Sequence, residues 1–252
     1  MPALPILTFH ALEERNSVLA FPPRHYEFLL TRLHDAGWHS ITLGDAVTHL
    51  KQQRPFPLRS FVLTFDDGYE SVYTRAFPIL MKYGFSATVF LTTGANANAR
   101  LPSLNGLTML RWNEIRAMHE AGIAFGAHTL THPDLTQLDD AQIERELRDS
   151  QAIIADALGA DITTFAYPFG RYDTRTRAIA ARYFACACSD KLGLANTRSD
   201  LYTLERVDAY YLRDAWISNL VTSDVFPWYI RARNVPRELR RAMSRPKTPA
   251  RG

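Results

Sequence analysis

Asp66 and Asp67 lie within the stretch Phe61-Val-Leu-Thr-Phe-Asp-Asp-Gly-Tyr-Glu70, and two adjacent carboxylates after an apolar run are the residues best placed here to do chemistry. The run Phe61, Val62, Leu63 and Phe65 reads as a buried strand. Such a strand carries the pair to the end of a sheet, where α/β folds hold their functional groups. Neighbouring residues on extended backbone point in different directions, so one aspartate can hold a metal while the other takes a proton. Gly68 permits a sharp exit, and a helix is expected from Ser71 to Tyr83. An Asp-Asp-Gly alone could equally cap that helix.

Metal chemistry needs further ligands, and Gly126-Ala-His-Thr-Leu-Thr-His-Pro133 offers them. His128 and His132 stand four residues apart, so one helical turn would bring both imidazoles to one side, and Ile123 to Phe125 reads as a short strand leading in. Two imidazoles and one carboxylate make a three-ligand site with open positions for water and substrate. Taken alone, a His-x3-His spacing also fits surface or core histidines, and Pro133 argues against a long helix there.

Thr64-Phe-Asp-Asp-Gly68, His128-Thr-x-x-His132 and Phe165-Ala-Tyr-Pro-Phe-Gly170, in that order, resemble the polysaccharide deacetylases of carbohydrate esterase family 4, the NodB-homology domain. The resemblance covers most of residues 4 to 210. It implies a distorted (β/α) barrel of about seven strands, Asp66 as general base, and Asp67, His128 and His132 as metal ligands. It further implies that Tyr167, Pro168 and Phe169 line the substrate groove, with a backbone N–H near Phe169 on the oxyanion. Many members carry an arginine where this chain has Ala166, a residue that orients the catalytic aspartate. Arg206, in Leu204-Glu-Arg-Val-Asp208, is the candidate replacement.

Amide hydrolysis also needs an acid to protonate the departing amine. The usual family layout places a histidine near the C-terminus, but no histidine follows His132. His25, His34, His39, His49 and His119 fall in or beside expected helices, whereas His10 ends the apolar segment Leu4 to Phe9. In a closed barrel an N-terminal strand can fill the gap of a C-terminal one. The arrangement resembles the subgroup containing poly-β-1,6-N-acetylglucosamine deacetylases, and it makes His10 the expected acid. The activity implied is removal of N-acetyl groups from an acetylated amino sugar in a polysaccharide or its precursor. Zinc suits the ligand set first, and cobalt, nickel or iron also fit.

The elements that must position these groups follow from pattern and punctuation. Helices are expected from Pro22-Pro23 to about Gly37, from Asp45 to Gln53, from Trp112 to Ala121, from Asp139 to Leu158 and from Asp173 to Tyr183. Strands are expected at Ser40 to Leu43, Phe85 to Thr92, Thr163 to Ala166 and Phe184 to Cys188. Residues 93 to 110 read as a long loop over the strand ends that shapes the cleft.

With 46% hydrophobic and 22% charged residues, the 252-residue chain reads as one globular domain rather than a disordered segment. Residues 1–230 form the expected deacetylase domain and 231–252 a basic tail, partly disordered. That tail holds eight basic residues against Glu238, a net of +7 within a total of +3. It suits peripheral contact with an anionic membrane, and nucleic acid is not an expected partner. The N-terminus shows no basic, apolar leader pattern, so the expected location is cytoplasmic or peripheral to the inner membrane. Cys186 and Cys188 read as core thiols.

A haloacid-dehalogenase-type phosphatase needs its aspartates two residues apart. A glycosidase gives no reason for the two histidines. The remaining alternatives are a deacylase of a lipid-linked or small amide at the inner membrane and a non-catalytic carbohydrate-binding barrel.

Overall fold

The computed structural model describes residues 3–94 and 104–243. Seven parallel strands close into a ring: β1 (Ile6–Phe9), β2 (Ser60–Phe65), β3 (Thr88–Leu91), β4 (Ala124–Ala127), β5 (Thr164–Ala166), β6 (Cys186–Leu192) and β7 (Leu204–Asp208). β1 closes it, pairing with β7 on one side and β2 on the other. The expected barrel is thus present, and the N-terminal strand fills the gap beside β7.

Alternation along each strand divides the apolar residues into two cores. Leu7, Phe9, Leu63, Phe65, Phe165 and Val207 face outward into the core shared with the surrounding helices. Ile6, Val62, Phe90, Ala166, Cys186, Cys188 and Leu204 pack together inside the barrel. Leu43, Val47 and Leu50, from the helix over Leu43–Lys51, join this inner cluster and plug one end. Gly126 has its place here, because a Cβ on it would lie 2.6 Å from the Phe90 ring and 2.5 Å from Thr164 Oγ1. Both cysteines are free and buried in this inner core.

Higher in the lumen the side chains become polar. Thr8 and Thr64 are hydrogen-bonded at 2.9 Å, and Asp66, His128 and Arg206 lie at the next level. β7 was not anticipated as a strand. Arg206 breaks the apolar pattern on its inner face because the lumen at that level holds an ion pair rather than hydrocarbon, while Glu205 on the other face pairs with Lys191 at 2.8 Å.

The helices on the outside are α1 (Pro23–Asp35), α2 (Leu43–Lys51), α3 (Phe77–Tyr83), α4 (Trp112–Glu120), α5 (Asp140–Leu158) and α6 (Thr174–Tyr183). α5 begins with a capping box in which Asp139 accepts from Gln142 N at 2.8 Å, and it ends at left-handed Gly159, φ 62°. The expected helix over 71–83 is divided: a π-turn spans Val72–Ala76 before α3 begins, with Pro78 in its first turn. The strand expected at 40–43 is only His39–Ser40, because Thr42 instead caps α2.

After β7 come a short helix α7 (Ala215–Leu220) and α8 (Phe226–Met243). The division drawn at residue 230 therefore falls inside a helix whose Phe226 and Ile230 belong to the outer core. Residues 244–252 lie outside the described residues, as do 95–103 of the expected cleft loop.

Candidate active site

The register of β1 against β2 sets the site. Phe9 pairs with Phe65, and Asp66 N donates to Phe9 O at 2.9 Å, so the residues one step beyond, His10 and Asp66, come side by side. His10 Nε2 stands 3.9 Å from Asp66 Oδ2. Across the lumen Arg206 donates from both terminal nitrogens to Asp66 Oδ1 and Oδ2, at 2.7 Å each, and from Nε to Ser189 O at 3.0 Å. The pair is buried, with Asp66 3% and Arg206 6% exposed. Burial alone would raise the Asp66 carboxyl. The Arg206 guanidinium, His128 and His10 outweigh it and hold its pKa below the ordinary aspartate value.

Asp67 turns the other way. Its backbone is left-handed, φ 73°, and its Oδ1 lies 3.4 Å from His128 Nε2 and 3.3 Å from His132 Nε2. Donor atoms around a tetrahedral cation with bonds of about 2.0–2.2 Å stand roughly 3.3–3.6 Å apart, so this trio fits zinc-like coordination. The imidazoles are oriented for it. His128 Nδ1 donates to Ala166 O at 2.7 Å, which presents Nε2 to the site. Burial opposes the charge on Asp67, but hydrogen bonds to His128 and His132 hold its carboxyl well below the usual range.

The segment joining the two histidines is not the expected helical turn. Thr129 and His132 both have positive φ, 69° and 59°, and Glu146 of α5 holds the loop from beneath. Glu146 Oε2 accepts from the N–H groups of Leu130 and Thr131 at 2.8 Å each, and its Oε1 accepts from Thr131 Oγ1 at 2.8 Å. An irregular loop brings both imidazoles to Asp67. Sequence spacing gave no sign of Glu146, which reads as one more charge on an amphipathic helix.

A cavity of about 540 Å³ opens over these groups. His10, Asp66, Asp67, His128, His132 and Arg206 all line it, and no other histidine does. Of the residues expected along the groove, Phe169 lines the cavity; its ring stands 57% exposed and 4.7 Å from that of His132. Tyr167 and Pro168 do not: both are buried beneath the rim, and Tyr167 spends its hydroxyl on Tyr202 O at 3.1 Å. The reason is the left-handed turn at Phe169, φ 57°, which sends that ring outward and its predecessors inward. The opposite walls, Val18, Leu19, Tyr210 and Tyr211, carried no recognisable motif. From the expected cleft loop, Asn105 reaches the cavity and donates to Tyr69 OH at 3.0 Å, while Leu110 N donates to Gly68 O at 2.9 Å.

A closed parallel barrel whose strand ends gather an arginine-held aspartate, a histidine and an Asp-His-His trio defines a hydrolase-type site with room for a cation. The comparisons name the class. The polysaccharide deacetylase family model matches residues 53–184, just over half of the chain. YxkH of Bacillus subtilis (strain 168), itself assigned to the polysaccharide deacetylases, is 30% identical over 205 residues, covering 81% of this chain and 70% of that one. The chain belongs to the polysaccharide deacetylase family of enzymes. The solved structure of the Streptococcus pyogenes deacetylase PplD in complex with acetate superposes with a TM-score of 0.75 at 28% identity, covering 82% of this chain and 92% of that one. The poly-β-1,6-N-acetyl-D-glucosamine N-deacetylase of Staphylococcus aureus (strain MRSA252) is 30% identical over 146 residues. That match covers 54% of this chain, which spans about half, 48%, of that relative.

Proposed function

We propose that this protein is a metal-dependent hydrolase that removes N-acetyl groups from an acetylated amino sugar, in a polysaccharide or its precursor. One observation carries the reading: two adjacent aspartates at one strand end face two different sets of partners. Asp67 faces His128 and His132, and Asp66 faces His10 and Arg206. Similarity to a deacetylase solved with acetate, the product of such a reaction, and to an enzyme of poly-N-acetylglucosamine supports it.

Asp67, His128 and His132 would hold the divalent cation, zinc first by donor type, with cobalt, nickel or iron also accepted. The cation supplies Lewis-acid polarisation of an acyl carbonyl and acidifies water. Asp66 is the base that takes the proton of the attacking water. Arg206 keeps it anionic and fixed in plane, at the cost of making it a weaker base. His10, beside Asp66 on the adjoining strand, delivers a proton to the departing amine. The N–H of Phe169, at the rim beside His132, meets the oxyanion. The Phe169 ring and the facing tyrosines offer flat apolar surfaces to a sugar.

The test measures bound metal by elemental analysis and acetate release from N-acetylglucosamine oligomers, for the parent, Asp66→Asn and His128→Ala. One metal per chain is expected in the parent and in Asp66→Asn but not in His128→Ala, with activity lost in both variants. A parent that binds no divalent cation and releases no acetate would instead favour a non-catalytic carbohydrate-binding barrel.

A further inference from the structure

Of the ten large apolar side chains that stand well exposed among the described residues, five fall between Tyr210 and Val235. They are Tyr210, Trp216, Val225, Trp228 and Val235, and the two indoles are 57% and 67% exposed. A concentration of this kind marks a surface that meets something other than water. On α8, Trp228, Arg231 and Val235 are spaced by three and four residues and share one face.

Cations are interleaved with these aromatic groups. The Arg231 guanidinium lies 5.2 Å from the Trp228 ring centroid, and that of Arg233 lies 5.6 Å from the Tyr229 centroid. From Val225 to Arg237 the sequence has no carboxylate; Asp214, Asp224 and Glu238 border the stretch. Positive charge continues to the end of the chain, net +7 over residues 231–252. Beneath α8 a second cavity of about 450 Å³ is lined by Asn196, Arg198, Arg231 and Asn234, donors suited to a phosphate. Indoles at an interface with arginines beside them match an anionic bilayer, whose headgroups take the guanidinium groups while the acyl boundary takes the rings. A neutral glycan would use the flat rings, but it gives no part to Val225, Val235 or the run of arginines.

The patch adjoins the catalytic cavity. Tyr229 OH donates to Tyr211 O at 3.1 Å, and the Trp216 and Tyr229 rings meet edge to face at 5.9 Å. Tyr210 and Tyr211 line the catalytic cavity, and Leu192 lines both cavities. We propose that the α7–α8 face docks on an anionic membrane surface and sets the mouth of the catalytic cavity beside the bilayer. This surface is independent of the hydrolytic reading and can fail or stand without it.

The test is co-sedimentation of the full chain with vesicles of phosphatidylcholine alone and of phosphatidylcholine with one-quarter phosphatidylglycerol. Binding is expected to the anionic vesicles only, and it should be released as salt is raised to about 1 M, where the Debye length falls to about 3 Å. Trp228→Ser combined with Arg231→Glu, both at exposed positions, should weaken it at least about tenfold while leaving the thermal midpoint unchanged. A parent that ignores anionic vesicles overturns the proposal. So does a double variant that binds them as tightly as the parent, or one whose loss is confined to soluble N-acetylglucosamine oligomers, which would make the patch a glycan platform.

Discussion

Replacing Arg206 with methionine removes the charge while keeping much of the side chain's length. Asp66 would then sit in the lumen with neither of its two 2.7 Å donors. Removing one partner of a buried ion pair typically costs about 3–5 kcal/mol, because the remaining charge is left uncompensated. For a domain of this size that is a fall in thermal midpoint of roughly 6–20 °C. The same change acts on Asp66 as the proposed base. Arg206 is the largest of the influences that lower the Asp66 carboxyl, and without it burial, which acts upward, has less to oppose it. An adjacent arginine lowers an aspartate by about 1–3 pH units, so the acid limb of kcat/KM should move up by a comparable amount. The sign for stability follows from the lowered native pKa. The pair's contribution is present above the unfolded aspartate value of about 3.9 and is lost as pH falls through the lower native value, so Arg206→Met should flatten the acid part of the stability curve. Thermal denaturation across pH and acetate release across pH supply both readouts, with Arg206→Met/Asp66→Asn as control. That double variant should regain much of the stability and none of the activity. An Arg206→Met protein that melts with the parent and keeps its acid limb would refute Arg206 as the residue that holds the base.

His10→Gln should fold and bind metal as the parent does but lose about 10²- to 10⁴-fold in kcat, with the alkaline limb of the profile removed; an unaltered alkaline limb would end its role as acid. Bound metal should be displaced on acidification. Burial works against a proton on His128, but Asp67 and Asp66 outweigh it and raise its pKa, so protons compete from above the ordinary imidazole range. Equilibrium dialysis at stepped pH checks this, and loading that stays constant down to pH about 5 would contradict it. Glu146→Gln should weaken metal binding by about 10- to 100-fold through the His132 side of the site, with the alkaline limb kept; unchanged affinity would show that the loop holds itself.

What could be read in the chain and what could not divide along a physical line. Asp66 and His10 were legible because each directly follows an apolar strand, with Asp67 one position further on, and β1 and β2 lie beside each other in register, so sequence position translates into space without further information. His128 was legible for the same reason, one residue beyond β4, but the route from it to His132 was not. That route depends on two left-handed residues and on an acidic side chain fourteen positions beyond His132, and nothing local requires either. Arg206 lies between the two cases. Its strand, Leu204-Glu-Arg-Val-Asp208, is too polar to be recognised by pattern, since its inward position is filled by the partner of an aspartate 140 residues earlier. Only the alanine at 166, where the family resemblance implies an arginine, points to Arg206. The small residue at 166 is itself informative, since Ala166 packs in the inner core and its carbonyl accepts the hydrogen bond from His128 Nδ1. An arginine there would compete with Arg206 for the same carboxylate in the same lumen, and two buried guanidinium groups cannot both be neutralised by one aspartate. With alanine at 166 and arginine at 206, a single charge pair lies beneath the cavity, held from β7, the strand that pairs with β1. Asp66, His10 and Arg206, the proposed base, acid and positioning residue, stand on or just past three consecutive strands of the ring, β2, β1 and β7 respectively. The proposed metal ligands, Asp67, His128 and His132, follow β2 and β4, so the adjacent Asp66 and Asp67 join the two sets.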